Sequence, residues 1–294
     1  MAIIKPVNEA NIVVQDLKGF AKDSTIQVQM LRLDAIHPII SGNKWYKLKY
    51  NIEEAFRQEA KGILTFGGAY SNHLIATAAA AYYAGLAATG VVRGIYSLNQ
   101  LNPVLQQCTD YGMQLHFVSR EEYNLKEDAN FQQSLLQLFP DYLLIPEGGA
   151  NEAGRKGAGE ITDFIPSDVS HVLVSVGSAT TFIGLRNALP SGQELLGFAP
   201  MKGGVYLKAE VEQHLLPQKN IHWHLIDEYD FGGFGKITQE LTDFMSEFKQ
   251  QYGFDLDRVY TAKMMKGLQH KLKEGYFPQG SKILCIHSGG LTGN

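Results

Sequence analysis

The segment Ser41-Gly42-Asn43-Lys44-Trp45-Tyr46-Lys47 places two lysines three residues apart at the head of a helix-period stretch. Gly42 relaxes a turn, Asn43 can cap, and the helix follows at once. Residues three apart share a helix face, so both amines point the same way. At a helix N-terminus they also meet the positive end of the helix dipole. Such a setting depresses an amine pKa and favours attack on a carbonyl to form a Schiff base. A bound phosphate nearby relieves the unfavourable field. The same spacing also fits two solvated lysines at a helix start, because short motifs have many false positives.

Phe66-Gly67-Gly68-Ala69-Tyr70-Ser71-Asn72-His73 follows an apolar run and opens a second helical stretch. Ser71 reads as an N-cap, and the amides after it can meet an anion. Ser71, Asn72 and His73 offer a hydroxyl, an amide and an imidazole at the carboxyl end of a parallel strand, where open α/β sheets bind ligands. A plain capped helix explains them equally well. In Val176-Gly177-Ser178-Ala179-Thr180-Thr181-Phe182-Ile183-Gly184, small residues let backbone amides close on a phosphate. Neither G-x-x-x-x-G-K-[ST] nor G-x-G-x-x-G occurs, so a monophosphate suits this loop better than a nucleotide; a tight turn is the plainer reading. Asp257-Arg258-Val259-Tyr260-Thr261-Ala262-Lys263 opens the last long helix, and His287-Ser288-Gly289-Gly290 follows the last apolar run. Each is weak alone, and Tyr260 could as well be a packed ring as a catalytic acid.

The elements that must position these residues alternate along the chain. Apolar runs at Gly62–Phe66, Thr89–Arg93, Gln114–Val118, Tyr142–Ile145, His171–Val176, Leu195–Phe198, Ile221–Ile226 and Lys282–Ile286 are separated by helix-period segments. Continuous apolar strands joined by helices predict an α/β fold of largely parallel sheets covered on both faces. Two sets of strands suggest two lobes, with a break near Glu147-Gly148-Gly149-Ala150-Asn151. A helix is predicted from Trp45 to about Lys61, with Trp45, Leu48, Ile52, Ala55 and Phe56 on one stripe. Another is predicted from Lys236 to Gln251, carrying Ile237, Leu241, Phe244, Met245 and Phe248.

With 294 residues the chain can build two lobes, and 45% hydrophobic against 19% charged residues argues against disorder. The formal net charge of -4 offers no basic excess for nucleic acid. Cys108 and Cys285 sit in apolar stretches and read as buried thiols of a reducing, cytoplasmic protein rather than a disulfide. No apolar leader and no run near about 18 apolar residues is present, so no membrane association is expected. No metal site is expected either.

Together and in this order, the five motifs resemble the 1-aminocyclopropane-1-carboxylate deaminase and D-cysteine desulfhydrase family, from about Leu31 to Gly290. The resemblance implies a tryptophan-synthase-β-like fold (fold type II), the cofactor pyridoxal 5'-phosphate, a small amino-acid substrate and a homodimer. It implies a large cofactor-binding lobe from residues 1–44 and 148–294 and a small α/β lobe from residues 45–147. Lys44 would carry the cofactor, and Lys47 would lie near its phosphate, which Gly177, Ser178, Ala179, Thr180 and Thr181 would surround. Asn72 would bond the ring oxygen, and Ser71 would meet the substrate carboxylate or shuttle a proton. His73 would line the substrate side with them, Tyr260 would face the substrate, and Thr261 would partner the pyridine nitrogen. The ring-opening deaminases carry glutamate at the position of Thr261. A carboxylate keeps that nitrogen protonated and deepens the electron sink more than a neutral hydroxyl does, so Thr261 resembles the desulfhydrase branch. A second family tyrosine aligns with Phe234, in Tyr229-Asp230-Phe231-Gly232-Gly233-Phe234-Gly235. Tyr229 is a nearby phenol that could replace it.

The expected reaction is a deaminating β-elimination. A freed Lys44 amine removes or relays the Cα proton, a β-leaving group departs, and a 2-oxo acid and ammonia result, with sulfide from D-cysteine. Opening of the aminocyclopropane ring to 2-oxobutanoate is the alternative. A catalytically silent cofactor-binding homologue is a further one, to which Phe234 points. A dinucleotide-dependent oxidoreductase would share the strand alternation but lacks the glycine fingerprint.

Overall fold

The computed structural model describes residues 6–96, 98–201, 203–216 and 222–291. The strands are β1 (Val14–Asp16), β2 (Gln27–Arg32), β3 (Gly62–Gly68), β4 (Ala87–Arg93), β5 (Met113–Val118), β6 (Tyr142–Ile145), β7 (His171–Ser175), β8 (Glu194–Phe198), β9 (Trp223–Ile226) and β10 (Lys282–His287). The helices are α1 (Asn43–Arg57), α2 (Asn72–Ala84), α3 (Pro103–Asp110), α4 (Arg120–Tyr123), α5 (Ala129–Leu138), α6 (Glu152–Gly159), α7 (Thr180–Ala188), α8 (Val205–Gln213), α9 (Gln239–Tyr252) and α10 (Thr261–Lys273).

The strands form two sheets. One is four-stranded in the order β5-β4-β3-β6, with every pairing parallel. The other is six-stranded in the order β1-β2-β10-β7-β8-β9, parallel except where β1 pairs with β2. Their central strands β3, β7, β8 and β10 are buried on both faces, as near-continuous apolar strands require. Neighbouring residues of β3 point to opposite sides: Ile63 packs with α2, while Leu64 and Phe66 meet Tyr123 of α4 and Leu135 of α5. In β10, Ile283 and Cys285 pack with Phe244, Phe248 and Met264 of α9 and α10, while Leu284 and Ile286 face the other way. Cys108 and Cys285 are buried free thiols.

β1 and β2 were not expected. β1 is a three-residue edge, and Gln27-Val28-Gln29-Met30 alternates over too short a span to stand out. Three local expectations are also corrected. Asn43 does not cap α1: Gly42 holds that place at φ 62°, and the Asn43 side chain is used elsewhere. Phe56 is exposed although Trp45, Leu48, Ile52 and Ala55 are buried: it keeps helical spacing with Ile52 but stands one residue before the end of α1 at Arg57. The second predicted helix begins three residues late, at Gln239, because the Thr238 hydroxyl caps it by accepting from Leu241 N at 3.2 Å; Ile237 lies outside it and is exposed.

α1 lies in the seam between the sheets. It packs so tightly on α6 that a Cβ on Gly157 would sit 1.9 Å from the Tyr46 carbonyl. Beside that contact, Asn51 of α1 and Asn151 exchange amide hydrogen bonds of 2.7 and 3.3 Å. Among the described residues, no helix is long and apolar enough to cross a membrane.

Candidate active site

The site forms where the carboxyl ends of the strands meet the heads of three helices, α1, α7 and α10. Gly42 permits the sharp entry into α1, since a Cβ there would strike the Ser288 carbonyl at 2.0 Å. The chain therefore turns against the His287-Ser288-Gly289-Gly290 segment. That segment is fixed by His287, whose Nδ1 accepts from Gly289 N at 3.2 Å, so the other ring nitrogen carries the proton donated to the Asp255 carbonyl at 2.9 Å.

Lys44 Nζ donates to Asn43 Oδ1 at 2.6 Å, and Asn43 Nδ2 donates to Thr181 Oγ1 at 2.8 Å. One asparagine thus ties the amine of α1 to the head of α7. One helical turn on, Lys47 Nζ donates to Ser178 Oγ at 3.3 Å. Burial holds Lys44 down to about 8, opposed by the negative charge of Asp257. Burial, with help from the Lys44 charge, holds Lys47 down to about 7. The dominant cause is therefore loss of water, not the helix dipole. Such amines are nucleophilic near neutrality, unlike exposed lysines.

The turn from Gly177 to Thr181 is closed by Thr180 N donating to Ser178 O at 2.7 Å, and Ala179 adopts φ 56°. Ser178 and Thr180 share a 3.0 Å hydroxyl contact, and Thr180 and Thr181 are buried. The 147–149 turn closes over this loop. A Cβ on Gly148 would meet Ser178 Oγ at 2.8 Å, and one on Gly149 would meet Lys47 Cβ at 3.1 Å. Gly148 and Gly149 were read only as an interruption between lobes. They are part of the cradle, and the sole sequence signal for it was the doubled glycine.

Asp257 organises the head of α10. Its Oδ1 accepts from Val259 N at 3.0 Å and Tyr260 N at 2.8 Å, and its Oδ2 accepts from Thr261 N at 2.7 Å. This carboxylate orients both residues singled out beside it, yet it was not itself assigned a role from sequence. Tyr260 lies against Gly177, where a Cβ would be 3.2 Å from its ring, and burial and the Asp257 charge raise its phenol well above the usual range. Thr261 is fully buried and its Oγ1 has no hydrogen-bond partner among the described residues. A buried hydroxyl left unpaired is costly unless something outside the chain pairs it.

Asn72 Nδ2 reaches the Gly290 carbonyl at 3.5 Å, and Gly290 also lies beside Asp257. Ser71 caps α2 as expected, accepting from His73 N at 3.2 Å and Leu74 N at 3.3 Å. Those bonds leave its O–H proton to donate. His73 is buried below the lysines. Thr65 Oγ1 donates its one proton to the Ile145 carbonyl at 2.8 Å, so it accepts from His73 Nε2 at 2.9 Å, leaving Nδ1 a buried unpartnered acceptor. Burial and the two lysine charges lower His73 to about 3, so the ring stays neutral.

Two sequence expectations about phenols separate here. Phe234 is 57% exposed and lies edge-on to Tyr260 with centroids 5.9 Å apart. Tyr229 does not replace the missing hydroxyl. It packs on Phe198 and His270, lies against Gly267 well along α10, and points its OH toward Glu274 at 3.5 Å.

The arrangement fits pyridoxal phosphate. An amine that loses its charge near pH 8 is available for its aldehyde and a lysine-lined glycine cradle for its phosphate, and the unpaired Thr261 hydroxyl suits a ring nitrogen. Comparisons with known proteins agree. A family model described as pyridoxal-phosphate dependent enzyme matches residues 8–289. A putative 1-aminocyclopropane-1-carboxylate deaminase of Pyrococcus furiosus is 29% identical, covering 95% of this chain and 89% of its own. The mitochondrial bifunctional D-cysteine desulfhydrase/1-aminocyclopropane-1-carboxylate deaminase of Arabidopsis thaliana is 28% identical, covering 86% and 70%. A crystal structure described as an ACC deaminase homologue superposes with a TM-score of 0.83 at 26% identity, covering 98% of this chain and 93% of that one.

Proposed function

Since the chain belongs to the pyridoxal-phosphate dependent enzyme family, we propose that it is a deaminating lyase of the D-cysteine desulfhydrase type, acting on a small amino acid. The observation that carries this reading is Lys44: a half-buried amine, lowered to about 8, tied through Asn43 to the Gly177–Thr181 cradle. When bound, pyridoxal phosphate withdraws electrons from the Cα of the attached amino acid.

The chain's own groups do the rest. Lys44 Nζ anchors the cofactor, and as a free amine takes the proton from Cα. Lys47, Ser178, Thr180 and Thr181 hold the phosphate, with the first amides of α7 lacking intrahelical partners. Asn72 fixes the ring edge from the α2 side, and Ser71 donates its proton to the substrate carboxylate. Tyr260 stays protonated because of its raised pKa and can deliver its proton to a departing β-group. The neutral Thr261 hydroxyl donates to or accepts from the ring nitrogen without adding charge, which favours loss of a good β-leaving group over ring opening. We place the protein in the cytoplasm as a homodimer, in keeping with the same reading, and keep residues 1–44 with 148–294 and residues 45–147 as its two lobes.

Purified protein is assayed for 2-oxo acid and sulfide from D-cysteine, and in parallel for 2-oxobutanoate from 1-aminocyclopropane-1-carboxylate. Sulfide with little 2-oxobutanoate is the expected result. The reverse ratio would establish ring opening, which the name of the Pyrococcus relative favours, while that of the Arabidopsis relative gives both activities. Bound cofactor with no turnover of either substrate, or of a panel of D- and L-amino acids, would establish a silent homologue.

A further inference from the structure

Lys263 lies in the first turn of α10, two residues after Thr261, and is 1% exposed. Its Nζ donates to the carbonyls of Asp230 at 2.7 Å, Gly233 at 2.7 Å and Pro200 at 3.4 Å. An ammonium has three protons and no acceptor, so these bonds use all of them. Lysine is almost never fully buried unless its charge is met, and here three backbone dipoles meet it.

The three carbonyls belong to two loops. Pro200 follows β8, and Asp230 and Gly233 follow β9, its parallel neighbour. The second loop is strongly bent: Phe231, Gly232, Gly233 and Gly235 all have positive φ, at 47°, 96°, 108° and 71°. It makes two small turns. Gly233 N donates to the Asp230 carbonyl and Lys236 N to the Gly233 carbonyl, each at 3.1 Å. Lys263 grips the same two carbonyls, so one ammonium fixes the closing point of both turns. Between them sits Phe234, whose ring faces Tyr260.

We propose that Lys263 is a positioning residue: it fastens the loops after β8 and β9 to the head of α10, holding Phe234 against Tyr260 as the substrate-side wall. That Tyr260 faces substrate rests on the function proposed above. The attachment of the loops to α10 does not.

Amide hydrogen exchange of the substrate-free holoenzyme tests the attachment directly. In Lys263→Met, which keeps the stem and loses the charge, amides of residues 230–236 are expected to exchange about tenfold faster or more, with β8 and β9 unchanged. In Lys263→Ala, millimolar propylammonium should restore slow exchange. The wall is tested by kinetics on whichever substrate turns over: KM rises about tenfold in Lys263→Met while kcat changes less than about threefold. Phe234→Ala should raise KM similarly while leaving loop exchange slow, and Lys263→Met should then add little to it. Lys263→Gln, with two donors and no charge, gives an intermediate effect and serves if the methionine variant does not fold. Unchanged exchange at 230–236 in a folded Lys263 variant would overturn the attachment. Faster exchange with unchanged KM would overturn the wall. If no substrate turns over, the exchange results still decide the attachment, so its failure is distinct from failure of the proposed function.

Discussion

Asn43 and Thr181 are 138 residues apart and joined by a 2.8 Å hydrogen bond, and the same Asn43 side chain accepts from the Lys44 amine. The reactive amine of one helix is thereby referenced to the anion cradle of another. Asn43→Ala removes both bonds in a buried place, at about 1–3 kcal/mol. Cofactor affinity should fall about 10- to 100-fold, measured by titrating apoprotein with pyridoxal phosphate. Unchanged affinity would show that the bond plays no part in holding the group.

Lys44 and Lys47 should separate cleanly. Borohydride reduction followed by peptide mass spectrometry is expected to find the cofactor fixed on Lys44 in the wild type and absent from Lys44→Ala. In Lys47→Gln it should remain on Lys44 but exchange out more readily, because a phosphate-facing charge is gone. Label on Lys47 in the wild type would reverse the assignment.

The pH dependence of turnover follows from Lys44. Lys44 is a free amine only once substrate is bound, and it can take a proton only when uncharged, so kcat should rise with pH through about 8, where burial has placed this group, rather than through the ordinary 10.5. A rate profile flat from pH 7 to 9 contradicts Lys44 as the base.

His73 predicts an acid limb in stability. Its folded pKa of about 3 lies below the ordinary 6.5, so on acidification the unfolded chain takes up this proton first. Stability is full above pH 6.5 and is lost as pH falls from there toward 3, by on the order of a few kcal/mol at most. His73→Gln, which can still donate to Thr65, should flatten that part of the curve in denaturant melts at several pH values. An equal acid slope in both proteins refutes it.

Two glycines of similar φ should respond differently to alanine. Gly42 (φ 62°) would drive a Cβ into the Ser288 carbonyl, whereas Gly112 (φ 80°) has open space. Gly42→Ala should lose about 3 kcal/mol or more, and Gly112→Ala only about 1–2 kcal/mol of backbone strain. Equal midpoint shifts in urea would mean that the α1 entry yields freely.

Much of this was legible before any coordinates. The apolar runs foretold eight of the ten strands among the described residues, because strands buried on both faces need no polar alternation. Ser71 was legible as a cap, since capping is set by neighbours in sequence. β1 and β2 were not, because β1 is a three-residue edge strand and β2 alternates polar and apolar residues over only Gln27-Val28-Gln29-Met30. Asn43 looked like a cap because its type and place suit one; only the approach of α7 gives its side chain a better partner.

By itself, then, the sequence determined the α/β class and the chemical types that could bind a phosphate and an aldehyde, because these depend on periodicity and on local turns. The tertiary structure alone decided which amines are stripped of water and which hydroxyls are left unpaired. It also decided that Tyr229 turns away while Phe234 faces Tyr260, and that Lys263 clasps two loops. Desolvation and the pairing of distant polar groups arise only when remote segments close on one another, and no local pattern records that.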